Sequence, residues 1–307
     1  MASCVRLGVE EVLAAFDEHL RRVRGVCPGT RCNYAMYVGE FLVAVFGDRV
    51  VEFAEVRDSE VAAFIGGLSH RYQPRTVELA ATALRVFFRF LRAQGWCEKR
   101  LADAVPMVPH RPSGLVRHLD PRVLEQLIAP LGTASARDLR DRAIILTIAR
   151  VGLRPGEVAR LRLEDIDWRN AAIRVRARKT GHGALLPLTS EVGAGLADYL
   201  QHGRPDTDAR EVFVLHWLRV GAPISTSIVG RAVQRAVDHA GIQAPVRGGN
   251  LLRHSLATEL LARGASLPEI AAVLGHSCLA TTRIYAAVDT GRLREAALPW
   301  PQRGAES

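Results

Sequence analysis

The sequence predicts a mainly α chain with one small β-sheet, an α+β arrangement in two domains. Three observations predict it. Apolar residues recur at helical spacing through most of the 307 residues. After Trp168 that period changes to alternation, in "AAIRVRAR". The stretch "ADAVPMVPHRPSGLVRH" concentrates Pro106, Pro109, Pro112 and Gly114 and reads as a linker. Domains are therefore expected over 1–102 and 118–307, joined by a linker at 103–117, and at ~150 residues per domain the length agrees with two.

The first helical region runs from Val9 to Phe46. Thr30 can cap the helix through "RCNYAMYVGEFLVAVFG", and Gly47 closes it. "RDSEVAAFIGGL" reads as a short helix capped by Asp58 or Ser59. In "QPRTVELAATALRVFFRFLRAQG", Pro74 suits the first turn and Gly95 the C-terminal cap. Leu79, Ala83, Leu84, Phe87, Phe90 and Leu91 fall on one arc of that helix, with Arg85, Arg89 and Arg92 together on the opposite pole. These arginines form either a solvated face or a stripe that tracks phosphates, and both readings stay open.

Beyond the linker, a helix restarts at Asp120 and Pro121, and helices continue through "ARDLRDRAIILTIARVG". Ile173, Val175 and Ala177 alternate with Arg174, Arg176 and Arg178, and "ALLPLT" follows after "KTGHG". This is a β-hairpin whose turn holds Gly181 and Gly183, with Lys179 at its tip. Helices are expected from Glu191 to the end.

Composition narrows the function. Net charge is +9 and the pI is near 9.9, which favours an acidic partner such as nucleic acid. The five cysteines are odd in number, have no CxxC spacing and do not cluster with histidines. A disulfide framework and a zinc site are not expected, and a reducing, cytoplasmic setting is. No apolar run reaches the ~18 residues of a membrane span. The acids in "MASCVRLGVEEVLAAFDEHLRR" do not fit a signal peptide.

Three motifs carry chemistry. In "ARVGLRPGEVARLRLEDID" a helix ends at Gly152, Arg154 sits in the turn, and Pro155 starts the next helix. Arg154 can aim its fork at an anion, and Glu157 is spaced to hold that fork. In "GGNLLRHSLATELLARG", Asn250 is expected to cap a helix with Arg253 in its first turn, where a cation suggests an anion in front. His254, about 100° further round, reads as a packed or surface histidine. In "LPEIAAVLGHSCLATTRIYAAV", His276 follows Gly275 and Tyr285 lies nine residues on. Two Arg forks suit one phosphodiester, and tyrosine can form a covalent phospho-intermediate. Lysine can give a proton to a leaving oxygen and arginine cannot. That is a chemical reason for Lys179 in a chain with only two lysines, Lys99 and Lys179, among 41 basic residues.

The ordered set "GLRPGEV", "RARKTGHGALLPL", "NLLRHSLAT" and "LGHSCLATTRIYAAV" resembles the tyrosine recombinases, or phage-integrase family. The resemblance covers nearly the whole chain, more loosely in the first hundred residues. It implies a helical core-binding domain and a mixed catalytic domain that together clamp double-stranded DNA. It also implies a tetramer on two duplexes and no metal, small-molecule cofactor or membrane. By the matching positions, Tyr285 would attack a phosphodiester, leave a 3′-phosphotyrosyl link and release a 5′-hydroxyl. Arg154 and Arg253 would clamp the phosphate, Lys179 would protonate the 5′-oxygen, His276 would hydrogen-bond the phosphate, and Glu157 would position Arg154. One position departs: the family usually has His three residues before the second Arg, and here it is Asn250, which hydrogen-bonds but does not shuttle protons. The chain begins almost at the core-binding domain, which looks more like a Xer-type or transposon-borne enzyme than a lambda-like integrase. Its last residues, including "TGRLREAAL", could dock on their own domain or on a neighbour. The setting implied is cytoplasmic and nucleoid-associated.

Two other classes compete. A helix-turn-helix regulator without catalysis shares the charge and the last motif, but leaves Arg154, Lys179 and Arg253 unexplained. A metal-dependent DNA-cutting enzyme would need converging carboxylates, and Glu164, Asp165 and Asp167 look instead like a turn before the hairpin. A type IB topoisomerase would share the tyrosine chemistry.

Overall fold

A computed structural model describes residues 7–47, 49–108, 117–176, 183–245, 248–275, 282 and 285. The chain separates into two compact units, 1–113 and 114–307.

The first unit is built on four helices, α1 (Val9–Arg22), α2 (Pro28–Phe46), α3 (Asp58–Ser69) and α4 (Pro74–Ala93). Its core is aromatic: Phe16 meets Phe87 edge to face at 5.2 Å, and Phe41 meets Phe88 at 5.5 Å. Pro74 is the first residue of α4, and Gly95, at φ 70°, lies just past its C-cap Gln94. The expected arc of α4 is buried, with Leu79 at its partly exposed edge. Two caps differ from expectation. Helix α2 starts three residues earlier, because Pro28 fits its first position, so Cys27 is the N-cap and Thr30 is inside. Helix α3 is capped at Arg57, whose N–H is taken by Glu60 at 2.8 Å; Asp58 and Ser59 are already helical. Lys99 donates to the carbonyls of Ala54 and Val56 at 2.6 and 3.0 Å, closing the loop before α3.

In the second unit, α5 (Pro121–Ile128) is capped by Asp120, whose side chain accepts from the Arg122 N–H. Helix α6 (Ala136–Leu146) packs against α8 (Ser190–His202) and α9 (Thr226–His239). It runs on into a π-helical turn, Thr147–Val151, and ends at Gly152 with φ 77°. Helices α7 (Pro155–Val158), α10 (Asn250–Ala262) and α11 (Leu267–Leu274) complete the helical set among the described residues.

The hairpin is present as β2 (Ala172–Val175) antiparallel to β3 (Ala184–Pro187), with Ile173 opposite Leu186. A two-residue strand, β1 (Ile166–Asp167), adds to β2 and was not foreseen; two residues show no period to read. The expectation of helices from Glu191 to the end holds for α8 to α11 but not for the stretch between α8 and α9. Residues 203–225 form turns and isolated bridges, among them Arg162 to Glu211 and Val214 to Pro223. Val212, Phe213 and Val214 there are fully buried, so this stretch packs into the core without forming a helix.

Candidate active site

The site begins where the π-helical turn stops. Gly152 takes the left-handed conformation, and a Cβ there would stand 2.9 Å from Leu256 Cδ2 and 3.0 Å from Leu274 Cδ2. The chain then turns through Arg154, the N-cap of α7, with Pro155 as first helical residue. Glu157 Oε2 accepts from the Arg154 backbone N–H at 2.8 Å, and Oε1 accepts from Arg154 Nη1 at 3.0 Å. One carboxylate therefore caps the helix and orients the guanidinium, which remains 41% exposed and available to an anion. Arg154 Nη2 donates to the carbonyl of Gly275 at 2.8 Å.

Arg253 approaches the same place from α10. The N-cap of α10 is Gly249, not Asn250, which is the first helical residue and makes no side-chain cap. Only glycine fits at 249, since a Cβ would lie 2.8 Å from Pro155 Cγ. That close approach brings α10 against the α7 turn. Arg253 is 4% exposed, and its Nη1 and Nη2 donate to the carbonyls of Gly152 and Leu274. Both carbonyls belong to helix C-terminal ends, where the backbone dipole favours a cation. Burial, then the neighbouring Arg154, pulls the Arg253 pKa down to about 10, so it keeps its charge at neutral pH.

Tyr285 is 1% exposed and packs with Ala257, Leu261, Ile270 and Leu274. Its hydroxyl lies 2.7 Å from His254 Nδ1, with ring centroids 5.7 Å apart. Burial raises the Tyr285 pKa, and the charges of Arg253 and Arg154 work in the opposite direction. The expectation for His254, a packed or surface histidine, is therefore incomplete: the ring is half-buried but bonded to the tyrosine hydroxyl. The sequence signal was only that His254 stands four residues after Asn250 on the same helix face.

Lys179 and His276 lie outside the described residues. The strand leading to Lys179 is held by Arg176, which donates to Asp165 at 2.6 Å and to Glu164 at 3.2 Å. The "LEDID" carboxylates are thus turned to arginines or, for Asp167, to Asn170 at 2.8 Å. Among the described residues no three His, Cys, Asp or Glu side chains converge to hold a metal ion. Of the three α4 arginines, Arg89 and Arg92 are exposed, while Arg85 donates to the carbonyls of Val105 and Pro106 at 3.3 and 2.7 Å. No helix among the described residues is long and apolar enough to cross a membrane.

A family model described as "Phage integrase family" matches residues 117–292, more than half of the chain. The chain belongs to the phage integrase family. A second model, the phage integrase N-terminal SAM-like domain, matches residues 13–95. Among similar proteins is the putative integrase/recombinase y4rA of Sinorhizobium fredii, 39% identical over 295 residues, covering 95% of this chain and 71% of that one. Tyrosine recombinase XerC of Halalkalibacterium halodurans is 28% identical over 297 residues, covering 93% and 95%. Among solved structures, the XerH recombinase bound to its difH substrate after cleavage shares the fold. Its TM-score is 0.73 at 21% identity, covering 94% of this chain and 85% of that one. Within this phage integrase chain, the arginines, the tyrosine and the hairpin keep the order noted above.

Proposed function

We propose that this chain, a site-specific DNA recombinase of the tyrosine type, breaks and rejoins strands through a 3′-phosphotyrosyl link at Tyr285. One observation carries the reading. Arg154, Arg253 and Tyr285 come from three separated stretches and meet at the C-terminal end of α11. There Arg154 bonds Gly275, Arg253 bonds Leu274, and Tyr285 packs on Leu274.

The chemistry follows from those positions. Tyr285 Oη attacks the phosphorus, and the P–O5′ bond breaks. Arg154 and Arg253 bind the non-bridging oxygens and stabilise the charge that grows there. Glu157 holds Arg154 in the pose this needs. Lys179 gives the departing 5′-oxygen its proton, His276 donates to the phosphate, and exposed Asn250 is a hydrogen-bonding neighbour only. The free energy of the broken ester stays in the protein–DNA link, so rejoining runs the same steps backward. No step calls for a metal or a small-molecule cofactor.

The helical first unit is proposed as the core-binding half of a clamp on double-stranded DNA, with 118–307 as the catalytic half and 103–117 between. Arg89 and Arg92, exposed on α4, would follow phosphates, and Arg85 would join them if its fork leaves the Val105 and Pro106 carbonyls. Assembly is proposed as a tetramer on two duplexes, acting in the cytoplasm at the nucleoid. A non-catalytic regulator would have no use for a tyrosine hydroxyl set among two arginines and a histidine.

The test is covalent capture. Nicked duplexes are incubated with the protein and run on a denaturing gel. A protein–DNA adduct lost in Tyr285→Phe supports the reading. Sequence-specific binding with no adduct on any duplex favours the regulator.

A further inference from the structure

The proposed mechanism leaves one proton unassigned. Tyr285 carries a hydroxyl hydrogen that must leave as its oxygen bonds to phosphorus. Asn250, at the position where the family usually has histidine, has no lone pair basic enough to take it. It is also exposed at the first position of α10, whereas Tyr285 is 1% exposed.

One helical turn on, on the same face of α10, His254 Nδ1 stands 2.7 Å from Tyr285 Oη. We propose that His254 is a catalytic residue of this recombinase: the base that takes the Tyr285 proton on cleavage and returns it on rejoining. The proposal rests on Tyr285 being the nucleophile.

Geometry comes first. A distance of 2.7 Å is that of a formed hydrogen bond, and a general base must stand within hydrogen-bond reach of its proton. Helix α10 fixes the ring, because the preceding Arg253 is clamped at both nitrogens to the Gly152 and Leu274 carbonyls. Among the described residues, Arg253 and His118 bear on His254, and Arg253 and Arg154 bear on Tyr285. Burial first, then Arg253 and His118, holds the His254 pKa below the usual histidine value. The ring is then neutral at pH 7 and able to accept. Arg253 and Arg154 favour the tyrosinate that the transfer creates, against the burial that opposes it.

The step balances. The Oη–H bond breaks and the proton goes to Nδ1, which requires the tautomer with its hydrogen on Nε2. The Oη–P bond forms, P–O5′ breaks, and O5′ takes a proton from Lys179. On rejoining, an incoming 5′-hydroxyl gives its proton to the Lys179 amine, its oxygen bonds to phosphorus as Oη–P breaks, and Tyr285 recovers its proton from His254.

The test uses the full chain and a pool of nicked duplexes of random sequence. The substrate is whichever duplex the wild type captures covalently and Tyr285→Phe does not, which checks the nucleophile separately. On that duplex, His254→Asn keeps a polar atom near the Nδ1 position but cannot take a proton. Single-turnover cleavage at pH 7 should fall about 10²- to 10⁴-fold in His254→Asn and His254→Ala. DNA affinity should hold. The deficit should narrow as pH rises toward the tyrosine's own ionisation, and added imidazole should restore part of the His254→Ala rate. Cleavage by His254→Asn at the wild-type rate would overturn the proposal, because the contact would then only hold the ring. A second measurement needs neither DNA nor a variant. The ¹⁵N shifts of His254 at neutral pH should show Nε2 protonated and Nδ1 bare. A hydrogen on Nδ1, donated to Tyr285, would equally overturn it.

Discussion

Glu157 holds Arg154 at two points, taking its backbone N–H at 2.8 Å and its Nη1 at 3.0 Å with the two oxygens of one carboxylate. Its side chain is 10% exposed, so the carboxylate itself is largely shielded from water while the guanidinium it holds is not. Glu157→Ala should release the guanidinium and uncap α7 together. A hydrogen bond to a charged group contributes about 1.5–3 kcal/mol, so strand cleavage should slow about 10- to 150-fold. Binding of uncleaved DNA should change far less. Equal loss of binding and cleavage would mean that Glu157 serves the fold and not the orientation of Arg154.

Lys179 is tested by its chemistry. Lys179→Arg keeps charge and DNA affinity but removes a donor able to give up its proton, so cleavage should drop about 10²- to 10⁴-fold. A substrate with a 5′-thiolate leaving group needs no proton and should cleave normally in the variant. Normal cleavage of the ordinary ester by Lys179→Arg would reduce the lysine to a hairpin residue.

Asn250→His restores the imidazole that the family usually has. Cleavage should be equal or faster, because the side chain at 250 is exposed and a larger ring can be accommodated. A large loss in single-turnover rate would show that the amide has a role of its own.

Gly152→Ala should be costly although it adds one methyl group. Its φ of 77° disfavours any L side chain, and the new Cβ would meet Leu256 and Leu274 at 2.9 and 3.0 Å. Backbone strain and overpacking each cost about 1–3 kcal/mol, which predicts a fall in Tm of at least several degrees by calorimetry. The Gly152 carbonyl would shift too, so Arg253 should lose part of its anchorage and cleavage should decline beyond what lost stability explains.

The stability of the fold should weaken on mild acidification. His216 bonds the Tyr199 hydroxyl at 3.2 Å, and burial first, then Arg140, holds its pKa below the ordinary value. Its folded pKa lies below its unfolded one, so the unfolded chain binds more protons. Stability is therefore full above pH ~6.5 and is lost as pH falls below it. Denaturant midpoints measured between pH 7.5 and 5.5 should show this slope, and His216→Phe should flatten it.

What the sequence disclosed was what local spacing encodes. Arg154, Pro155 and Glu157 form a capping unit within four positions, and the hairpin announces itself by alternating Ile173, Arg174, Val175 and Arg176. Hidden features depend on chain that is remote in sequence. The His254 contact is with a residue 31 positions away. The start of α10 at Asn250 is set by Gly249 meeting Pro155, nearly a hundred positions earlier. The buried, non-helical segment around Phe213 fell inside the stretch expected to hold helices because a buried apolar run has no period of its own.

Arg253 binds the carbonyl of a residue 101 positions before it and of another 21 positions after it. Neither bond exists until α10, α11 and the turn at Gly152 have all been placed. A nascent or half-unfolded chain holds the tyrosine and the arginines but not their arrangement. The paired arginine anchorage of this DNA strand transferase is therefore a product of the completed fold, not of any one segment.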